Sequence, residues 1–390
     1  MKPIRSEFLP LSRPTIGEEE IAEVVDTLRS GWITTGPKVG VFEERCRDYL
    51  GMPEAVAVNS GTAGLHLALL GAGIGPGDEV ITSSMTFAAT ANAIVLTGAR
   101  PVLVDCESDT LNIDAAAVER RITPKTKALM PVHFAGQPCA MDELLEIARR
   151  RGLLVIEDAA HALGGEYKGR KVGAIGDATV FSFHPIKSIT TGEGGLVVAR
   201  DAEWADRMRL YRFHGIRTSA WERHAGGKSP LYAVEAPGLK YTMMDIQAAI
   251  GIHQLAKLDG FIARRTALAE RYQEKFRSIR GVKLLGAVPY AHKHAWHLLV
   301  ARLELEALDI GRDEFLDGLK LLNIGAGVHF PALHMQPYYQ KSFGYRAGDF
   351  PNAERAAERM LSLPLFPAMT ERDVDDVAAT VGALLAEHRA

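Results

Sequence analysis

Between residues 55 and 200 short apolar runs alternate with amphipathic stretches, and this rhythm limits the possible folds more than any other feature. Residues 55–58, 79–82, 101–104, 128–132 and 153–156 are mostly apolar and of strand length, while residues 64–70, 86–96, 115–122 and 142–150 carry helical patterning between them. Strands apolar on both faces and separated by helices predict a mostly parallel sheet covered on both sides. The rhythm changes at residues 179–183 and 195–199, two strand-like runs joined by a polar loop around Lys187 with no room for another helix of that size.

Residues 215–238 follow neither period and contain Gly226, Gly227, Pro230 and Pro237, which predicts a long loop, more often functional than not in a compact domain. Residues 244–274 predict a long helix, bent or interrupted near Gly260, and the remainder alternates helices with strands such as 297–302. The chain of 390 residues therefore divides into an N-terminal arm and large domain over 1–250 and a smaller α+β domain over 251–390. A net charge of -3 without a long like-charge run gives no footprint for nucleic acid or an anionic membrane surface. No apolar run approaches the ~20 residues of a membrane helix, and the first 14 residues lack the apolar core of a signal peptide. Cys46, Cys106 and Cys139 are odd in number and widely spaced, which suits reduced cytoplasmic thiols rather than disulfides or a metal.

Four segments carry candidate chemistry. Asn59-Ser60-Gly61-Thr62-Ala63-Gly64 lies between a strand and a helix, where small residues and free N–H groups suit a phosphate. It matches neither the P-loop nor the dinucleotide fingerprint. Glu157-Asp158 directly follows an apolar strand, so a carboxylate stands where open α/β sheets bind ligands; a helix cap is its ordinary alternative. Lys187 ends the segment Phe181 to Lys187, and a lysine there can form a Schiff base with an aldehyde if its surroundings favour the neutral amine. Ser182, five residues earlier, can hydrogen-bond a phosphate of the same cofactor, and Thr190 to Gly195 forms a tight return beside the lysine. A plain turn, a solvated lysine and a hairpin connection remain the bland readings of these segments.

Their order along the chain (phosphate turn, acid about 100 residues later, lysine 29 residues beyond it) is the one used by fold-type I enzymes of pyridoxal 5'-phosphate (PLP). SGTAGLHLAL, EDAAHALGG and FSFHPIKSITTGEGG closely resemble the sugar-nucleotide aminotransferase family (DegT/DnrJ/EryC1/StrS). GWITTGPK, PVHFAG, GLKYTMMDIQAAI, HAWHL, GVHF and SLPLFPAMT extend the resemblance over nearly the whole chain. Within the family the combination looks most like the UDP-4-amino-4-deoxy-L-arabinose:2-oxoglutarate aminotransferase branch.

The resemblance implies a role for each matching residue. Lys187 is the Schiff-base lysine and Asp158 the partner of the pyridinium nitrogen; Thr62, Ala63 and Ser182 hold the phosphate; Phe87 stacks on the ring; and His161 touches its 3-hydroxyl side. His329 is a substrate-side contact, while Arg217, Trp221 and Lys228 of the long loop are candidates for a nucleotide diphosphate through charge and stacking. Thr242 stands where the family has Asn or Arg reaching the phosphate of the neighbouring subunit, and its side chain is shorter. The implied reaction moves the amino group of glutamate, leaving 2-oxoglutarate, to a nucleotide-linked 4-keto sugar, with UDP-4-keto-pentose ahead of UDP- or dTDP-4-keto-6-deoxy hexoses. A cytoplasmic homodimer with a shared site, serving lipid A or surface glycan modification, completes the expectation. A sugar dehydratase on the same scaffold typically has His in place of Lys187, and a non-catalytic regulator would not need a complete Lys, Asp and Ser set.

Overall fold

The computed structural model describes residues 2–225 and 231–390. Two helices, α1 (Glu18–Ser30) and α2 (Pro37–Leu50), lead into β1 (Glu54–Val58), α3 (Gly61–Gly71), β2 (Glu79–Ser83), α4 (Ala88–Leu96) and β3 (Arg100–Val104). Then come α5 (Ala115–Arg120), β4 (Thr126–Met130), α6 (Met141–Arg151), β5 (Leu154–Asp158), the short strands β6 (Glu166–Tyr167) and β7 (Arg170–Lys171), β8 (Ala178–Ser182) and β9 (Gly195–Ala199). Seven of these strands form one sheet in the order β1-β9-β8-β5-β4-β2-β3. β9 is antiparallel to both its neighbours, and the other pairs are parallel.

Alternate side chains of each strand enter different cores. Ala55, Ala57, Leu129, Val155, Phe181, Leu196 and Val198 pack with α2 and a later long helix. Val56, Val58, Met130, Ile156, Val180 and Val197 pack instead with α3 and α7 (Ala202–Arg212). With both faces covered, each strand needs apolar residues at nearly every position, which accounts for the uninterrupted runs in the sequence.

The register of β9 assembles the site. Gly195 pairs with Val58 on one side and with Ser182 on the other. The turn after β1 and the loop after β8 are therefore neighbours at one edge of the sheet. A Cβ on Gly195 would lie 2.6 Å from the Ser60 backbone, so only glycine permits this approach.

After the six-residue α8 (Ala220–Ala225), α9 (Asp245–Phe276) runs 32 residues without a break, so the expected interruption near Gly260 is absent. A glycine costs roughly 1 kcal/mol in a helix interior, too little to break a helix held on both sides of it. Ala248, Ile252, Leu255 and Leu258 lie in the sheet core, and Leu268, Ala269, Tyr272 and Phe276 in a second core. β10 (Val282–Leu284), β11 (His292–Lys293), β12 (Leu299–Leu303), α10 (Arg312–Leu321), α11 (Pro337–Phe343), α12 (Pro351–Arg359), β13 (Met360–Leu363) and α13 (Glu371–Glu387) complete the chain. β10, β12 and β13 form an antiparallel sheet beneath α10 and α13. The N-terminal arm joins this second core: Leu9 is buried in it, and Arg5 pairs with Asp373 and Asp376 of α13 at 2.6 and 3.0 Å. No described helix is long and apolar enough to cross a membrane.

Candidate active site

A cavity of about 300 Å³ opens at the edge where β5 and β8 end. Thr62, Phe87, Asp158, His161, Ser182, Lys187 and His329 line it, together with residues from several other segments. Two larger clefts, of about 690 and 790 Å³, lie around Lys283 and Glu304 and contain none of the candidate residues.

At one end stands the N-terminus of α3. The Ser60 hydroxyl accepts the Ala63 amide at 3.1 Å, so Ala63, buried outside the cavity lining, is engaged by this cap. The amides of Gly61 and Thr62, in the first helical turn, have no intrahelical acceptor, and they face anion chemistry with the helix dipole behind them. Gly61 keeps this turn against Ser182, whose Cβ would be 2.9 Å from any added Cβ. Ser182 thereby brings its hydroxyl to the same end.

Asp158 ends β5. Its Oδ2 accepts a hydrogen bond from Thr90 at 2.7 Å and its Oδ1 accepts the Ala160 amide at 3.1 Å. The next residues form a turn, not a helix, so Asp158 is no helix cap. Burial pushes its carboxyl above the ordinary value, against the opposing pull of those two hydrogen bonds and the Lys187 charge. Lys187 is half-buried, and desolvation pushes its ammonium down to about 8, with the Asp158 charge acting the other way. An amine so placed is a nucleophile near neutral pH.

Aromatic rings wall the cavity. His161 lies 4.3 Å from His297 and 5.7 Å from Phe330, and Phe87, more than half exposed, lies 5.6 Å from Phe330 (ring centroids). Burial and the Lys187 charge hold His161 and His297 well below the usual histidine range and push His329 down to about 4. His329 Nδ1 bonds the Ser362 hydroxyl at 2.9 Å. Behind Asp158, the fully buried Glu157 takes His133 Nε2 at 2.8 Å, the Gly176 amide at 2.7 Å and the Thr179 hydroxyl at 2.7 Å. The Cys139 amide donates to His133 Nδ1 at 3.0 Å, which makes His133 a neutral donor in a structural network.

Other sequence candidates stand elsewhere. Thr242 forms a bridge with Val58, and its hydroxyl accepts from Lys240 at 2.9 Å. Trp221 packs edge-on against Trp32 at 4.7 Å, and Arg217 pairs with Glu235 at 2.8 Å. None of the three lines the cavity of its own chain, and Lys228 falls outside the described residues. The structure adds Thr90, His297 and Phe330 to the wall. His297, two residues before β12 in the HAWHL segment, was not among the sequence candidates; a polar residue at the edge of an apolar strand is the signal that could have found it.

The cavity fits pyridoxal phosphate: free helix-end amides and hydroxyls for an anion, a half-buried amine for an aldehyde, a buried carboxylate for a ring nitrogen, and a buried Nδ1 on His161 with no partner among the described residues. These are the requirements of a PLP-dependent transferase of fold type I. The chain belongs to the DegT/DnrJ/EryC1/StrS aminotransferase family, whose model matches residues 14–382. It is 50% identical over 381 residues to the spore coat polysaccharide biosynthesis protein SpsC of Bacillus subtilis, covering 97% of each chain. Spr1654 of Streptococcus pneumoniae in its PLP form superposes with a TM-score of 0.90 at 34% identity, over 97% of this chain and 99% of that one. DesI in the presence of its TDP-sugar product superposes with a TM-score of 0.86 at 34% identity, over 98% and 94%. The protein is thus a PLP-dependent aminotransferase of a family that acts on sugars.

Proposed function

We propose that this enzyme transfers the amino group of glutamate to the keto carbon of a nucleotide-linked 4-keto sugar. The observation that carries the amine chemistry is the half-buried Lys187, its ammonium pushed down to about 8 so that neutral amine becomes accessible near neutral pH, in the same cavity as a buried Asp158. PLP, when bound, supplies a ring that takes up the electron pair released as a substrate C–H bond breaks. Lys187 would hold the aldehyde carbon, Asp158 the ring nitrogen, His161 the ring hydroxyl side, Phe87 the ring face, and Ser182, Thr62 and the helix end the phosphate. Once released, Lys187 Nζ takes the proton from the α-carbon of the amino donor and, in the return half, delivers one to the carbon that receives nitrogen.

Support for a nucleotide sugar comes from the TDP-sugar product bound by DesI and the polysaccharide role in the name of SpsC. UDP-4-keto-pentose leads because of the motif resemblance, ahead of dTDP- and UDP-linked 6-deoxy-4-keto hexoses. A panel of these three with glutamate, read by 2-oxoglutarate formation, should show turnover on one at least tenfold above the others. Turnover on none, with a competent glutamate half-reaction, would overturn the ketosugar reading.

The same reading includes a homodimer with a shared site. The outer face of α1 exposes Ile21, Val25 and Leu28 at helical spacing, and one cavity wall, Phe87, is exposed. An apolar stripe in solvent is the kind of surface a second copy covers, and it supports the dimer reading. Arg217, Trp221 and Thr242, outside the chain's own cavity, are then assigned to the partner's site. Light scattering should report a dimer, consistent with an interface above ~2,000 Å². Thr242→Asn should tighten PLP binding by about 1 kcal/mol, one added hydrogen bond. A fully active monomer would sink the shared site, whereas unchanged affinity in T242N removes only the role of that residue.

A further inference from the structure

We propose that His297 is a positioning residue for the catalytic lysine, taking a hydrogen bond from free Lys187 Nζ, and that the turn from His294 to His297 is built to present it. This rests on the reading of Lys187 as the cofactor-bearing amine. His297 Nε2 lies 3.4 Å from Lys187 Nζ, at the long end of hydrogen-bond range, and the ring is 3% exposed. The ammonium form of Lys187 can only donate here, so opposite it His297 is neutral, accepting at Nε2 with its proton on Nδ1, which has no partner among the described residues. Burial and the neighbouring positive charges keep it neutral.

The turn that delivers this ring is strained and heavily tied. Trp296, directly before His297, has φ +47, a left-handed conformation that side chains with a Cβ seldom adopt. Such strain persists only where surrounding contacts over-determine it, and it clusters at functional sites. Here the Trp296 amide donates to His294 Nδ1 at 2.8 Å, and the two rings stack 3.9 Å apart. The flanking amides of Ala295 and Leu298 donate to the carbonyls of Gly136 and Ala135 at 2.9 and 3.2 Å. Gly136, at φ +100, leaves no room for a Cβ, which would sit 3.1 Å from the His297 amide.

Arg265 of α9 supplies the last tie. Its guanidinium is 1% exposed, forms no ion pair with a carboxylate among the described residues, and donates to the Trp296 carbonyl at 3.2 Å and the Leu365 carbonyl at 2.7 Å. A buried cation without a counter-ion is costly, and its placement on the carbonyl preceding His297 links that cost to the turn. The charged and titratable groups around Lys187 are Asp158 at the end of β5, His161 after it, His297 before β12, His329, Arg265 behind the turn, and His184 and Glu193 on the lysine's own loop. Of these, His297 alone has a hydrogen-bonding contact to Nζ among the described residues.

An acceptor favours the ammonium over the neutral amine, because hydrogen bonds to a charged donor are the stronger. Removing it should therefore lower the lysine's titration further. Competitive acetylation of cofactor-free protein across pH, read by mass spectrometry at Lys187, should half-titrate at about 8 in the wild type. In His297→Phe the midpoint should fall by about one unit, and in His297→Gln, which keeps an acceptor, it should stay within about 0.3 unit. In the holoenzyme, H297F should lower kcat for the glutamate half-reaction about tenfold with KM unchanged. Circular dichroism screens for folding; if H297F does not fold, His297→Asn, too short to reach Nζ, takes its place. An unshifted midpoint in the acceptor-less variant would overturn the proposal. Borohydride mapping of the cofactor in the same variants separates the two readings: an adduct on another lysine refutes the Lys187 assignment itself, whereas an adduct on Lys187 with an unshifted midpoint refutes only the role of His297.

Discussion

Lys187→Ala should abolish turnover, with a loss of at least about a thousandfold, because the same substitution removes the covalent anchor and the proton carrier. Wild-type holoenzyme should show an absorbance band at the edge of the visible that borohydride abolishes, leaving a covalent adduct on Lys187. The band should change on adding glutamate, which a dehydratase or a silent regulator would not couple to 2-oxoglutarate release. Burial adds a second expectation. Lys187 titrates at about 8 in the folded chain, below its ordinary value. A base with a lowered folded value opposes folding wherever the unfolded chain still holds the proton. Cofactor-free Lys187→Met should therefore be more stable than wild type at pH 7, by of order 2 kcal/mol. The gap should close as pH rises from about 8 toward the ordinary lysine value, where the wild type gains stability. Equal stability across that range would mean that water reaches the amine.

Asp158→Asn should leave the fold intact and cut transamination by on the order of 100-fold or more, the scale on which losing one aligned electrostatic partner is felt. The geometry makes this substitution informative. An asparagine oxygen can still accept the Ala160 amide, and Thr90, paired with Thr86 at 2.7 Å by hydroxyls that can each donate, can reverse its hydrogen bond to meet an amide N–H. The contacts survive while the charge does not. A neutral amide no longer keeps a ring nitrogen protonated, so the defect should lie in the chemical step and not in stability. PLP-saturated D158N with near wild-type rates would reduce Asp158 to a turn-former.

The strands, the phosphate turn, the acid and the lysine could all be read along the chain because each rests on local rules. Continuous apolar runs follow from burial on both faces of the sheet, and small residues at positions 59–64 follow from the close approach of Gly61 to Ser182. Asp158 is not the helix cap that its position after a strand allowed, since residues 159–164 turn instead of starting a helix, and turns and helix starts favour the same residue types. The predicted break at Gly260 is absent because the local cost of glycine is outweighed by contacts on both sides of it.

By itself, then, the order of residues determined the class of enzyme and singled out the amine and carboxylate proposed to carry its chemistry, since these depend on motifs and spacing along strands and turns. Tertiary structure decided what surrounds them. Thr90 of α4 reaches Asp158 at the end of β5, Leu9 of the N-terminal arm joins the C-terminal core, and β9 inserts between β1 and β8 to bring Ser60 beside Ser182. His297 meets Lys187 across 110 residues of chain, through a strained turn held by Arg265. Burial, which sets the titration of Lys187, is a property of all these segments packed together, and no local pattern in the sequence encodes it.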